Sequence, residues 1–568
     1  MVSRRSHKQQ AFAQLFILIG IIILLNILLS SFFKRIDLTA DKRFTLSDSS
    51  IKLLNDLKDV VFVKVYLKGE MPPGFQRLST ATMELLDEFK AYGGNRIQYQ
   101  FIDPVYGKSE SEITAVLKDF SRKGLMPTNV QQNAGDQYSE KIVVPGAIIY
   151  FNGKETPVQL LETNPNEGAQ TSLNNSIAHL EHNFSQGIQK LSLIQLTKIG
   201  FIQGHGEIKD SRLGDLLNSI SGFYQWQWID LAATVNISSE FTTVIIAKPT
   251  QKFSEKDKYK LDQYIMQGGK VLWMIEPLNA DIDSLMHKSS FITLDFPLNL
   301  DDQLFRYGVR INPDLIMDLQ CNPVPLLVNY ESQKPNFKLF PCFYFPVFTP
   351  DNNHLIVQNT NGISARFVSS IDTVAAKGIK KTVLLHSSGN SRNVFTPWLV
   401  DFADLKNRPD PKKYNRKNLP SAVLLEGIFP SIFINRFTPE ALKLMDDSLK
   451  KPFKSTSEPT KMIVISDGDI GTNEVNKEGT PMPLGYDRYT GEYFDNKTFL
   501  LNCIDYLCGY TQHINTRIKT VTLRLLDTSK VREQKVQWQL TNTILPVALI
   551  SVFGLIFNFI RRRKYARS

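Results

Sequence analysis

Two long apolar runs frame a chain that is otherwise patterned as alternating strands and helices. Residues 11–33 (AFAQLFILIGIIILLNILLSSFF) and 541–560 (TNTILPVALISVFGLIFNFI) carry no charge. As helices they would extend about 34 and about 30 Å, enough to cross a hydrocarbon core of about 30 Å. Pro546 falls in the first turns of the second run, where a helix tolerates it. Arg4, Arg5 and Lys8 precede the first run, and Arg561, Arg562, Arg563 and Lys564 close the second. The bias of Lys and Arg toward the cytoplasmic side predicts two spans with both tails (1–10 and 561–568) in the cytoplasm and residues 34–540 outside it. The first run ends in Phe32-Phe33-Lys34-Arg35, without a small-residue cleavage site, so it is expected to be an uncleaved anchor.

Between the spans the hydrophobic period changes repeatedly. Ser47 is placed to cap a short helix bearing Ile51, Leu54 and Leu57. VVFVKVYL (60–67) is a strand ended by Gly69 and Pro72-Pro73-Gly74. A helix bearing Leu78, Leu85, Leu86 and Phe89 follows, and RIQYQFIDP (96–104) is the next strand. With a hairpin over 141–160, the order over 45–165 fits a thioredoxin-like α/β layer. Its redox position reads YLKGEMPPG and holds no cysteine. Residues 166–196 are expected to be a linker helix, on which His179 and His182 form a solvated face rather than a metal site. From 197 a second pattern begins: near-continuous apolar strands (198–203, 242–249, 270–277, 461–466) alternate with helices. That pattern predicts a doubly wound parallel sheet covered on both faces. It is broken over 285–455, so 197–284 and 456–515 are expected to form one α/β domain with a long insertion. Residues 516–540 are left as a stalk.

Composition changes the picture less than its totals suggest. The formal net charge is +10, but the two tails hold eight basic and no acidic residues, leaving 58 basic against 56 acidic in between. The excess is a topology signal, and nucleic acid drops out as a partner. No G-x-x-x-x-G-K-[ST] occurs, so the chain is not expected to hydrolyse ATP. No G-x-S-x-G occurs either, and no cysteine precedes Cys321. Cys503 and Cys508 are expected to pack as small hydrophobes, and Cys321 and Cys342 are either paired or free. No cofactor and no metal ligand set is expected.

One turn stands out. Gly204-His205-Gly206-Glu207 follows the first strand of the doubly wound pattern, where ligands bind in such sheets. Either Gly204, His205, Gly206 and Glu207 form a polar binding site, or the glycines make a tight turn and nothing more. Asp467, with Asp469 beside it, closes a comparable strand and either joins that crevice or caps a turn.

These segments, in this order, resemble the gliding-motility-associated ABC transporter auxiliary family (GldG). The resemblance is carried by IDLTADKRFTLSDSS behind the first span, FIQGHGE (201–207), GGKVLWMIEP (268–277) and YGVRINPDLIMD (307–318). LLEGIFPSIFINRF (424–437), MIVISDGDIGTN (462–473) and NKTFLLNCIDYLCG (496–509) extend it over nearly the whole chain. It implies a non-enzymatic inner-membrane subunit pairing with an ABC-2-type permease and, through it, a separate ATPase. It also implies a periplasmic region for a partner or cargo, and a second domain similar to the glutamine-amidotransferase superfamily with the nucleophile missing. A solute-binding receptor and an extracytoplasmic hydrolase are the alternatives, the latter requiring His205, Glu207 and Asp467 to converge.

Overall fold

In the computed structural model the chain separates into two compact units, 1–520 and 521–568. The structure describes residues 15–24, 45–134, 137–161, 169–192, 196–209, 211–281, 290–331, 334–350, 354–358, 360–434, 436, 438, 452–511, 514 and 528–565. Arg4, Arg5 and Lys8 lie outside them. So do all of the first apolar run except α1 (Leu15–Leu24), whose side chains are exposed, and much of the expected stalk.

After α2 (Asp48–Asn55), capped by the Ser47 hydroxyl accepting from the Ser50 N–H, β1 (Val61–Val65) buries every second residue. The crossover α3 (Pro73–Gly93) returns the chain to β2 (Ile97–Phe101), parallel to β1. Then come α4 (Glu110–Lys123), the two-stranded ribbon β3 (Thr128–Ala134) with β4 (Gln137–Val143), and the hairpin β5 (Gly146–Phe151) with β6 (Lys154–Gln159). The resulting sheet has the order β2-β1-β5-β6. One face is covered by α2, α3 and α5 (Ala169–Ser192). Leu54, Leu86, Phe89, Leu180, Phe184 and Ile188 share a single core with Val63 and Ile149. The segment expected as a linker is thus a packed layer, because its stripe of Leu, Phe and Ile at helical spacing needs a sheet to cover it. Phe120 of α4 and Ile148 close the other face.

The second sheet starts with β7 (Thr197–Gln203), passes through α6 (Gly214–Ile220) to β8 (Tyr224–Asp230), and continues with β9 (Phe241–Ala247). Helix α7 (Glu255–Met266) leads to β10 (Lys270–Met274), which lies between β9 and a strand from much later in the chain. The intervening segment holds β11 (Ser290–Thr293), α8 (Asp301–Tyr307), β12 (Val309–Ile311) and β13 (Asp314–Asp318). The long hairpin β14 (Cys321–Glu331) and β15 (Lys334–Phe348) follows, then β16 (Ile363–Ser364) and β17 (Ile371–Thr373). After these come β18 (Ile379–His386), β19 (Ser391–Phe395), β20 (Trp398–Asp401) and β21 (Pro420–Gly427). Strand β22 (Thr460–Ile465) and α9 (Asn496–Cys508) complete the layer.

The seven-stranded order is β18-β21-β22-β10-β9-β7-β8. Five strands are parallel, and β21 and β18 extend the β22 edge in antiparallel fashion. Two strands from the segment expected as an insertion therefore belong to the main sheet. Helices α6 and α9 pack on one face through Leu216, Ile220, Leu500 and Ile504; α7 and α8 pack on the other through Leu261, Ile265, Leu304 and Tyr307. Between 355 and 368 the described strand is limited to the two residues of β16. The β14–β15 hairpin, which carries five prolines, carries no strand expectation. Prolines cannot donate to a ladder, and here Pro323 and Pro341 face each other across the pair, with register shifts beside Pro323.

All four cysteines are free thiols. Cys342 is fully buried, and burial pushes the Cys321 thiol up to about 12. In the second unit, α10 (Thr528–Tyr565) contains 26 residues, Trp538–Arg563, with mean hydropathy 2.3 and exposed side chains. Among the described residues it is the one helix long and apolar enough to cross a membrane.

Candidate functional site

The parallel part of the second sheet has one point where successive connections leave in opposite directions. From β7 the chain moves outward to β8, and from β9 it moves the other way to β10. Between the carboxyl ends of β7 and β9 the two crossovers part, opening the crevice that doubly wound sheets use for ligands. The GHGE turn leaves β7 there, and Lys248 leaves β9.

The turn is internally satisfied. Gly204 and Gly206 have φ of +114° and +75°, values that favour glycine. The Glu207 carboxylate accepts from the His205 N–H at 2.7 Å and lies 3.3 Å from Nδ1. Nε2 lies 3.3 Å from Asp257 Oδ2, and the ring stacks on Phe253 at 3.7 Å with an 8° interplanar angle. Asp257 sits in the first turn of α7, where the Ser254 cap donates to it at 2.6 Å and Lys260 Nζ reaches it at 2.9 Å. Burial alone would lower the His205 pKa, but Glu207 and then Asp257 outweigh it and raise it. Burial would raise Asp257, yet Ser254, Lys260 and His205 hold it below its ordinary value. A carboxylate against each nitrogen favours the protonated ring, and the two contacts tie the turn to the start of α7.

A second cluster spans the ends of β9, β10 and β22. Lys248, in the left-handed region at φ 49°, places Nζ 2.7 Å from Asp469, 3.4 Å from Asp281 and 3.5 Å from Glu276. Asp467 accepts from the N–H groups of Asp469 (2.7 Å), Ile470 (3.2 Å) and Arg366 (3.0 Å). Burial, and then the charge of Asp469, push its pKa up to about 7. Burial also lifts Glu276 well above the usual carboxylate range. Asp469 and Asp281 open onto a cavity of about 300 Å³ that also presents Arg212, Arg366, Glu474 and Arg488.

Gly204, His205, Gly206 and Glu207 are therefore brought together, with Asp257 as an unforeseen third polar side chain beside His205 and Glu207. The Asp467 carboxylate accepts from the backbone of Arg366, Asp469 and Ile470. Lys248, Asp257 and Glu276 were not singled out from sequence. Lys248 and Glu276 do carry a signal: each is a lone charge closing an apolar run just before a proline, in IIAKP and WMIEP.

Residues 196–503 match the model of an auxiliary family described as an ABC-type uncharacterized transport system. Residues 40–150 match a domain of unknown function (DUF7088). The chain belongs to this ABC transporter auxiliary family: it is an accessory protein of an ABC transport complex. An uncharacterized protein of Borreliella burgdorferi is 20% identical over 537 residues, covering 93% of this chain and 94% of that one. Among solved structures, the mmIFT52 N-terminal domain is 14% identical with a TM-score of 0.30, covering 55% of this chain and 96% of that one. An exo-beta-1,4-mannosidase (Op5Man5) from Opitutaceae bacterium strain TAV5 is 9% identical with a TM-score of 0.18, covering 76% of this chain and 51% of that one.

Proposed function

We propose that the chain is a non-ATPase auxiliary subunit of an ABC-2-type transporter complex, of the gliding-motility (GldG) branch of its family. Two spans hold it in the inner membrane with both termini in the cytoplasm and the bulk of the chain in the periplasm. It pairs with a polytopic permease and, through it, with a separate ATPase. Its α/β layers are a thioredoxin-like module without Cys-x-x-Cys and an amidotransferase-like module without a nucleophile, and they bind an envelope partner or cargo. The family match over 196–503 carries this proposal. The apolar helix ending in Arg561, Arg562 and Arg563 adds support. The test is affinity purification of the full chain from membranes in mild detergent. Recovery with a permease and an ATPase is expected, and recovery as a free monomer overturns the proposal.

A solute receptor is the alternative that one observation favours, namely the cavity of about 300 Å³ lined by Arg212, Arg366 and Arg488 together with Asp281, Asp469 and Glu474. It predicts saturable binding of a small polar compound bearing both charges, lost on Arg212→Ala. Unchanged binding in that variant argues against it.

A further inference from the structure

The cluster at the ends of β10 and β22 contains more carboxyl groups than its own cation can pair. Glu276, Asp467 and Asp469 each present one carboxyl oxygen, all within 4.8 Å of one another. Asp281 adds a fourth carboxyl at the edge, whereas among the described residues Lys248 is the one side-chain cation that contacts the group. The guanidinium of Arg366 is turned to Glu474 and brings only its backbone N–H to Asp467.

Glu276 shows what the cluster lacks. Its side chain is 1% exposed, and neither oxygen accepts a hydrogen bond. Lys248 Nζ, at 3.5 Å, is an ion-pair contact only. Buried carboxylates are ordinarily hydrogen-bonded, paired at close range or bound to a metal. Asp467 is oriented by three backbone N–H groups, which leaves roughly one of its four acceptor positions unused. Asp469 is the accessible member, since its side chain is 17% exposed and borders the cavity of about 300 Å³. Water and ions therefore have a route in, and the cavity side leaves room for water ligands.

We propose that Glu276, Asp467 and Asp469 bind a hard divalent cation, with Lys248 as the internal counter-ion that the metal displaces toward Asp281. All-oxygen carboxylate ligands select Ca²⁺, Mg²⁺ or Mn²⁺ over softer metals. Size then discriminates among these. Ligands on opposite sides of Ca²⁺ lie about 4.6–5.2 Å apart, and on opposite sides of Mg²⁺ about 4.0–4.2 Å. Oxygens that all lie within 4.8 Å of one another fall inside the reach of one Ca²⁺, whose flexible coordination accepts an irregular set that the strict octahedron of Mg²⁺ does not. Glu276 lies about 190 residues before the Asp467-x-Asp469 pair, so no local motif announces the full set.

The test uses the full chain in detergent, stripped with EDTA and titrated calorimetrically with CaCl₂ or MgCl₂ alone. One Ca²⁺ per chain is expected, bound at least tenfold more tightly than Mg²⁺. Asp469→Asn, which keeps the side chain's size and an oxygen acceptor for Lys248, should weaken Ca²⁺ at least tenfold, and Glu276→Gln should do the same. Lys248→Met should tighten binding, because it removes the competing ammonium. The absence of saturable Ca²⁺ binding by the unsubstituted chain overturns the site, as does binding indifferent to Asp469→Asn. Neither result bears on whether the chain copurifies with a permease.

Discussion

Asp262 provides a sharp test of how the second layer is held together. It lies on α7, is 0% exposed, and joins three segments. Its Oδ1 accepts from the Tyr307 hydroxyl of α8 at 2.8 Å and the Ile432 N–H at 3.1 Å. Its Oδ2 accepts from the Ser431 hydroxyl at 2.6 Å and Gln263 Nε2 at 3.0 Å. Gln263 also donates to the Lys454 carbonyl, so Asp262→Ala strands three buried donors rather than four. At about 1–3 kcal/mol for each unsatisfied group, less what is regained by no longer burying a charge, the expected loss is about 3–5 kcal/mol. Asp262→Asn keeps the Oδ1 acceptor, lets the Ser431 hydroxyl reverse its role, and removes a carboxylate whose pKa burial has raised. Its net effect should be within about 1 kcal/mol. For layers of this size 1 kcal/mol corresponds to about 2–4 °C. The midpoint of a tryptophan-fluorescence melt of the full chain in detergent, reporting through the buried Trp273 of the same core, should therefore fall by about 6–20 °C for Ala and about 4 °C or less for Asn. Equal shifts for the two variants, or no shift for Ala, would refute the orphaned-donor account.

Three further outcomes are expected. The raised His205 pKa means that its ionic contribution is complete below about 6.5 and disappears as pH rises through the folded-state value. The stability gap between the unsubstituted chain and His205→Gln should thus be largest near pH 6 and shrink toward alkaline pH, and a gap that widens there contradicts the imidazolium assignment. Gly206→Ala imposes φ +75° on alanine and sets its Cβ 2.1 Å from Thr250 Oγ1, so it should cost about 1–2 kcal/mol in a denaturant midpoint. Gly389→Ala, with open space around it, should be silent in the same assay. In α10, Leu549→Arg with Val552→Arg should each disfavour membrane insertion by about 2.5–3.5 kcal/mol, and carbonate extraction should release more chain if this helix is an anchor.

The elements legible from sequence were those whose burial leaves no ambiguity of period. β9, β10 and β22 read as unbroken apolar runs because both faces of the parallel sheet are covered, and each lies where its run predicts. Ser47 and Ser254 announced their helices through cap chemistry, and both hydroxyls accept from the backbone as expected. The capping box Ser109-x-x-Glu112 of α4 has the same chemistry but was not singled out from sequence. The β14–β15 hairpin was illegible because prolines are poor strand formers unless they sit opposite one another, and pairing is a property of the fold. The GHGE turn was visible because glycine flanks its histidine on both sides. Its partner Asp257 was hidden 52 positions downstream, as an ordinary helix-start acid.

That helix start has a consequence for phosphate binding. In doubly wound proteins the amino end of the helix beside the switch point is a seat for phosphate, because its N–H groups and dipole favour negative charge. Here the chain fills the seat itself: Glu255 and Asp257 occupy the first turn of α7, and Glu207 is tied in through His205. A nucleotide approaching this end would meet resident carboxylates instead of bare amides. A sheet of the kind that elsewhere docks nucleotides thus presents its own acids at this end, which disfavours a phosphate there by charge alone.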